Sequence, residues 1–363
     1  MNKILSEDLE IIFNSLSDLE KSKFHSSTIL ITGCAGFLGY YFINFLVLFK
    51  ESLKIRNIIG LDNFLIGSPT WLKNLKSTGA IELHNFNITS DNLEDIPGIN
   101  NVNFVLHMAS IASPTFYRIY PIETIDANIW GLRSLLNFFS YKKIKGLLFF
   151  SSSEVYGNPD INHIPTSEDY NGDVSSQGPR ACYDESKRFG ETLCYVFNEK
   201  FNMPISIVRP FNNFGPGMKL NDARAPADFA QAIVKNNDIV LHSNGSPTRT
   251  FCYISDAITG YLKALIFGKF DTFNIGNPKP EITILDLAKL YEKYGKELLN
   301  YSGKVIFKEA LDPNYLVNNP QRRAPSIKKA NTLLGYNPRV PVDKGVARFL
   351  EYLSLSRIED LIW

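Results

Sequence analysis

Tyr183 and Lys187 stand four positions apart in Gly178-Pro179-Arg180-Ala181-Cys182-Tyr183-Asp184-Glu185-Ser186-Lys187-Arg188, at the head of a helix-forming run. Four residues is just over one helical turn, so both side chains share a face. An ammonium beside a phenol favours the phenolate, because an opposite charge nearby stabilises the ionised form. The pair therefore reads as a general base for a hydroxyl proton near neutral pH. Alone the spacing is a weak signal, since most such pairs are two solvated side chains on an exposed helix face.

Two further runs carry chemistry. Ser151-Ser152-Ser153-Glu154 follows an apolar stretch that reads as a strand. Serines after a strand ordinarily cap a helix or form a turn. In an open parallel sheet, however, ligands bind beyond the carboxyl ends of the strands, which would place Ser152, Ser153 and Glu154 over a cleft. The other run is Gly33-Cys34-Ala35-Gly36-Phe37-Leu38-Gly39, between the apolar Thr28-Ile29-Leu30-Ile31-Thr32 and an apolar helix. Glycines there let the backbone approach a pyrophosphate, and the helix N-terminus supplies free N–H donors and a positive dipole end. A second apolar strand ends on Asp62, about twenty residues later, where a carboxylate binds a ribose diol and repels a 2′-phosphate. Strand, glycine turn, helix and acid together predict a dinucleotide site that prefers NAD to NADP.

These groups need a scaffold. Strands are predicted at 28–32, 58–61, 81–86, 103–107, 146–151 and 204–208, with helices between them, notably at 121–140 and 180–201. Such alternation implies an α/β fold, a Rossmann-type doubly wound parallel sheet covered on both faces. Residues 3–22 show helical apolar spacing and predict an amphipathic N-terminal helix, packed on the body or on a partner. After Arg209, Pro, Gly and Asn cluster and the elements shorten. The expected organisation is an N-terminal helix (1–25), an NAD-binding domain (26–209, with 248–278 returning to it), a smaller mixed α/β substrate domain (210–247 and 279–352) and a tail (353–363).

Of the 363 residues, 44% are hydrophobic and the net charge is +1, which gives no footprint for nucleic acid or a membrane surface. The longest apolar run, Gly39 to Phe49, is too short to span a bilayer. The first residues do not resemble a signal peptide, and the four cysteines have neither metal nor disulfide spacing, so a reducing cytoplasm and no bound metal are expected. His107 reads as a core or cleft histidine. Trp71, Trp130 and Trp363 read as packing residues.

The runs SSSEVYG at 151–157, GPRACYDESKR at 178–188, RPFNNFGPG at 209–217 and TRTFCYISD at 248–256 resemble the extended short-chain dehydrogenase/reductase family. That family comprises NAD-dependent nucleotide-sugar epimerases, dehydratases and decarboxylases, and the chain looks most like its UDP-glucuronate decarboxylase branch. The resemblance covers roughly residues 27 to 352. It implies that Gly33, Gly36 and Gly39, with Phe37 and Leu38 between them, hold the NAD pyrophosphate. Asp62 and Asn63 would hold the adenosine ribose, Asn87 and Ile88 would border the adenine, and Ala109 and Ser110 would line the nicotinamide. Tyr183, Lys187 and Ser152 would form the hydride-transfer triad. Asn212 and Arg249 would face the nucleotide diphosphate, Glu154 and Arg323 the sugar, and Ser113 would also contact the substrate. The family further implies a homodimer in which the two long helices form a four-helix bundle.

Oxidation at C4 turns a uronic acid into a β-keto acid that can lose CO2, after which hydride returns to C4. On this view Glu154 and Arg323 order a proton source at C5. Ser153 stands where the 4,6-dehydratases of the family carry an aspartic acid for a leaving hydroxyl. Departing CO2 needs no such acid, so serine suits decarboxylation. A 4-epimerase, 4,6-dehydratase or 4-dehydrogenase acting on another nucleotide sugar is the alternative. A non-catalytic NAD-binding module is disfavoured by the intact Ser152, Tyr183 and Lys187.

Overall fold

The structure, a computed structural model, describes residues 1–309 and 320–356. Residues 310–319, and the tail beyond 356 with Trp363, lie outside the described residues. At its centre is a seven-stranded sheet: β1 (Thr28–Thr32), β2 (Asn57–Asp62), β3 (Glu82–Asn85), β4 (Val102–His107), β5 (Gly146–Phe150), β6 (Ile205–Pro210) and β7 (Asp271–Ile275). Their order is β7-β6-β5-β4-β1-β2-β3, and every pairing is parallel. β1 and β5 are buried at every position, as a sheet covered on both faces requires. The order reverses between β1 and β4, and a crevice opens beyond the carboxyl ends at that switch point.

The helices that brace this sheet or carry site residues include α1 (Lys3–Asn14), α2 (Phe37–Leu48), α3 (Leu132–Phe139), α4 (Ala181–Phe201), α5 (Ile254–Leu265) and α6 (Val342–Ser354). The helix predicted over 3–22 is two helices, because Ser17 and Glu20 form a capping box that starts a new one at Asp18. α1 packs on the body of the molecule. Its Asp8 is fully buried and accepts hydrogen bonds from Tyr41 (2.8 Å), Tyr253 (2.7 Å) and Arg348 (2.7 Å), which joins α1 to α2 and α6. The helix predicted over 121–140 is interrupted by a π-helical stretch, Ala127–Gly131. A Cβ at Gly131 would come within 2.6 Å of Ile88, so this turn runs close against the segment after β3. Short strands at 248–249, 282–283 and 322–323 form a separate three-stranded sheet, in which Arg323 lies directly beside Arg249.

Candidate active site

Every site residue expected from sequence lines one cleft of about 720 Å³ at the sheet's carboxyl edge. Its dinucleotide end is built by close backbone approach. Gly33 has φ +69°, and a Cβ there would lie 2.6 Å from the main chain of Met108 and Ala109. A Cβ on Gly39 would collide with the Cys34 carbonyl, so the first turn of α2 sits directly on the glycine loop. Asp62 ends β2 with one carboxylate oxygen accepting the Ala35 N–H (2.8 Å) and the other the Phe64 N–H (2.8 Å). Burial pushes this carboxyl up, while the two backbone bonds and the Lys219 charge pull it down. Asn63 caps its own turn through Leu65 N–H, and Asn87 does the same through Thr89. Ile88 is buried against the 127–131 turn. The Ala109 N–H donates to Thr32 (3.3 Å), and the Ser110 hydroxyl is buried with no partner among the described residues. A glycine cradle, a carboxylate at the end of β2 and an orphaned hydroxyl on the far wall fit a dinucleotide.

At the centre of the cleft Tyr183, only 7% exposed, stacks on Tyr117 with ring centroids 5.3 Å apart. Ser152 hydrogen-bonds the Tyr183 hydroxyl. The Ser152 hydroxyl also accepts the Glu154 N–H (3.2 Å), which turns the chain after β5 into a short 3-10 helix, Ser153–Tyr156. Lys187 lies on the same face of α4 with its Nζ 5.6 Å from the Tyr183 ring centroid, and it donates to the Phe150 carbonyl (2.7 Å). Burial pushes Tyr183 up to about 12, against the Ser152 bond, and pushes Lys187 down to about 7. The expectation that the lysine simply lowers the phenol therefore needs correction. Both groups are desolvated, and desolvation disfavours both charged forms. His107 is held neutral by the same effect, down to about 3, with its Nδ1 paired to Thr32.

The far end is cationic. Glu154 is gripped by both terminal nitrogens of Arg323, one at 2.7 Å, and by Arg180. Burial alone would push Glu154 up, but Arg323 and Arg180 hold it well below the usual carboxylate range. Arg249, beside Arg323, donates to the carbonyls of Thr248 (2.8 Å), Pro320 (2.6 Å) and Gln321 (3.2 Å). Burial and the Arg323 charge push it down to about 9. Asp184 meets the Arg180 Nε at 3.4 Å, and burial with the Glu154 charge pushes it up to about 7. Ser113 donates to the Asp222 carbonyl (2.7 Å) and Asn212 to the Thr250 carbonyl (2.8 Å), so both tie the cleft's walls together. Ser153 is buried at its floor.

Sequence reasoning passed over Arg180, Tyr117 and Arg224. Arg180 stands in the GPRACYDESKR run, three residues before Tyr183, and that position was the available signal. Arg224, paired with Asp222, also lowers the Tyr183 phenol. Neither it nor Tyr117 carried a mark in the sequence, because only the fold brings their segments to α4.

Fold and site together define a dinucleotide-binding α/β scaffold in which Ser152, Tyr183 and Lys187 share one cleft. The profile of the NAD dependent epimerase/dehydratase family matches residues 29–276, and the chain belongs to that family. A UDP-glucuronic acid decarboxylase 1 of Xenopus tropicalis is 34% identical over 97% of this chain and 81% of its own length. UDP-glucuronic acid decarboxylase 5 of Arabidopsis thaliana is 34% identical over 92% of this chain and 91% of its own. Among solved structures, a Bacillus cereus UDP-glucuronic acid 4-epimerase in complex with UDP-glucuronic acid and NAD superposes with a TM-score of 0.72. It is 26% identical and covers 90% of this chain and 99% of its own. The Thermotoga maritima UDP-glucose 4-epimerase, at 22% identity and TM-score 0.78, shares the fold across 90% of this chain and 98% of its own. Among the described residues no helix is long and apolar enough to cross a membrane.

Proposed function

We propose that this protein is an NAD-dependent nucleotide-sugar decarboxylase that converts UDP-glucuronate to a UDP-pentose through a 4-keto intermediate. The observation that carries the reading is the meeting of two sites in one cleft. The Ser152–Tyr183–Lys187 centre lies between a dinucleotide cradle and the clamp of Arg323 and Arg180 on Glu154. The decarboxylase relatives, matched over nearly the whole chain, support it.

Gly33, Gly36 and Gly39 would receive the pyrophosphate, with Phe37 and Leu38 opening the helix behind it. Asp62 and Asn63 would hold the adenosine ribose, Asn87 and Ile88 would border the adenine, and Ala109 and Ser110 would flank the nicotinamide. Bound NAD would supply a hydride acceptor at C4, a positive charge beside the phenol, and the same hydride on return. Tyr183 takes the proton of the 4-hydroxyl while Ser152 orients that oxygen. Lys187, held by the Phe150 carbonyl, sets its amine 5.6 Å from the Tyr183 ring centroid. Arg249, Asn212 and Ser113 face the diphosphate. Residues 210–247 and 279–352 form the part that binds the sugar nucleotide. Ser153 presents no acid to a 6-hydroxyl, which favours loss of CO2 over loss of water.

The protein acts as a homodimer joined through a four-helix bundle. Ile122 (68% exposed), Trp130 (58%) and Phe189 (48%) leave apolar surface on the helices that would pair, where Trp130 would pack. Four free thiols, three of them buried, support a reducing compartment such as the cytoplasm.

Incubation with NAD and UDP-glucuronate, followed by mass spectrometry, tests the function. Loss of one CO2 from the sugar nucleotide supports it. Loss of water, or a change of stereochemistry at unchanged mass, replaces it with a dehydratase or an epimerase. Tyr183→Phe should abolish turnover while the protein still binds NAD.

A further inference from the structure

Breaking the C5–C6 bond sends its electron pair into C5 and out to the C4 carbonyl oxygen, and the carboxylate departs as neutral CO2. Negative charge therefore leaves the carboxylate in the transition state. A guanidinium paired with that carboxylate would stabilise the reactant and lose its partner as the bond breaks, which slows the step. Yet the sugar end of the cleft holds, beside an Arg249 already committed to the carbonyls of Thr248, Pro320 and Gln321, the guanidiniums of Arg180 and Arg323. Both already have a carboxylate, and it belongs to the protein. Arg323 reaches Glu154 through both terminal nitrogens and Arg180 through one. Arg180 is also tethered one helical turn on, to Asp184 at 3.4 Å, so turning toward the substrate would break two contacts. Arg323 is only 4% exposed and Glu154 bridges it, on its short strand, to Arg180 at the start of α4.

We propose that Glu154 is an internal counter-anion: it occupies Arg180 and Arg323 and so leaves the substrate's carboxylate without a guanidinium partner, with Arg180 as the residue that positions it. Arg180, Arg323 and Arg249 set against Glu154 and Asp184 still leave a net positive field, which draws a uronate into the cleft without a contact ion pair. This role differs from ordering a proton source at C5. It places Glu154 before CO2 departure and not after it. The inference rests on the decarboxylase reading above.

Two measurements test it. In the Tyr183→Phe protein loaded with NAD, which does not turn over, calorimetry compares UDP-glucuronate with UDP-glucose. With Glu154 in place the two should bind within about threefold. With Glu154→Gln added, UDP-glucuronate should gain ~10- to 100-fold, the size of one or two charge-assisted hydrogen bonds. In turnover, Glu154→Gln should release CO2 ~10- to 100-fold more slowly and accumulate reduced cofactor, because oxidation at C4 proceeds and bond cleavage stalls. Adding Arg180→Met to Glu154→Gln should restore part of the CO2 release, since one freed cation is gone. A merely structural Arg180 predicts a double variant slower than the single one. A tenfold preference for UDP-glucuronate with Glu154 present overturns the inference, as does a double variant slower than Glu154→Gln. Rapid CO2 release from Glu154→Gln with a stalled C5 protonation also overturns it. If the Glu154→Gln proteins fail to fold, the comparison in Tyr183→Phe alone decides. No CO2 from the unaltered enzyme overturns the functional reading, and the inference with it.

Discussion

Lys187 should be a burden on the fold that its function retains. It is 3% exposed, and burial carries its ammonium from an ordinary value of 10.5 down to about 7. A fall of that size corresponds to about 5 kcal/mol of cost to hold the charge inside. Lys187→Met keeps the apolar stem and removes the charge. It also removes the hydrogen bond to the Phe150 carbonyl, worth about 1 to 2 kcal/mol. The variant should therefore be more stable by about 3 kcal/mol at pH 6, and inactive. The pH dependence has a definite sign. Below about 7 the lysine is charged in both folded and unfolded chains, so the full cost is present. Between about 7 and 10.5 the unfolded chain holds a proton that the folded one has released, so the stability of the unaltered protein rises with pH. The gap between the two proteins should close across that window. Urea unfolding at pH 6, 7, 8, 9 and 10 measures it. A variant less stable than the parent at pH 6, or a gap constant with pH, would refute the assignment of the shift to desolvation.

Gly33→Ala should abolish NAD binding in a fluorescence titration, because φ is +69° and the new methyl would meet the Met108 and Ala109 backbone at 2.6 Å. Asp8→Ala strands two buried tyrosine hydroxyls and leaves Arg348 to Glu7 and the Ile4 carbonyl, and should cost about 4 kcal/mol in urea unfolding. Asp8→Asn should cost less, since burial already pushes the Asp8 carboxyl toward its neutral form. Trp130→Glu should shift a dimer toward monomer in sedimentation, because this ring is 58% exposed on the proposed bundle surface.

The sequence by itself determined the sheet and the cofactor cradle. Apolar runs of strand length alternating with helices admit only a covered parallel sheet, and the glycine turn with Asp62 reports local backbone geometry. The Tyr183–Lys187 pair was legible for the same reason, since helical spacing is a local property. What the tertiary structure alone decided is the charge state of the site. A sequence shows that Tyr183 and Lys187 are neighbours. It does not show that both are desolvated, which outweighs the help an ammonium would give the phenolate. Nor does it show that Glu154, Arg180 and Arg323, up to 169 positions apart, meet at one point. Electrostatics depends on distance and burial, and both follow from how the chain packs, not from where its residues fall along it.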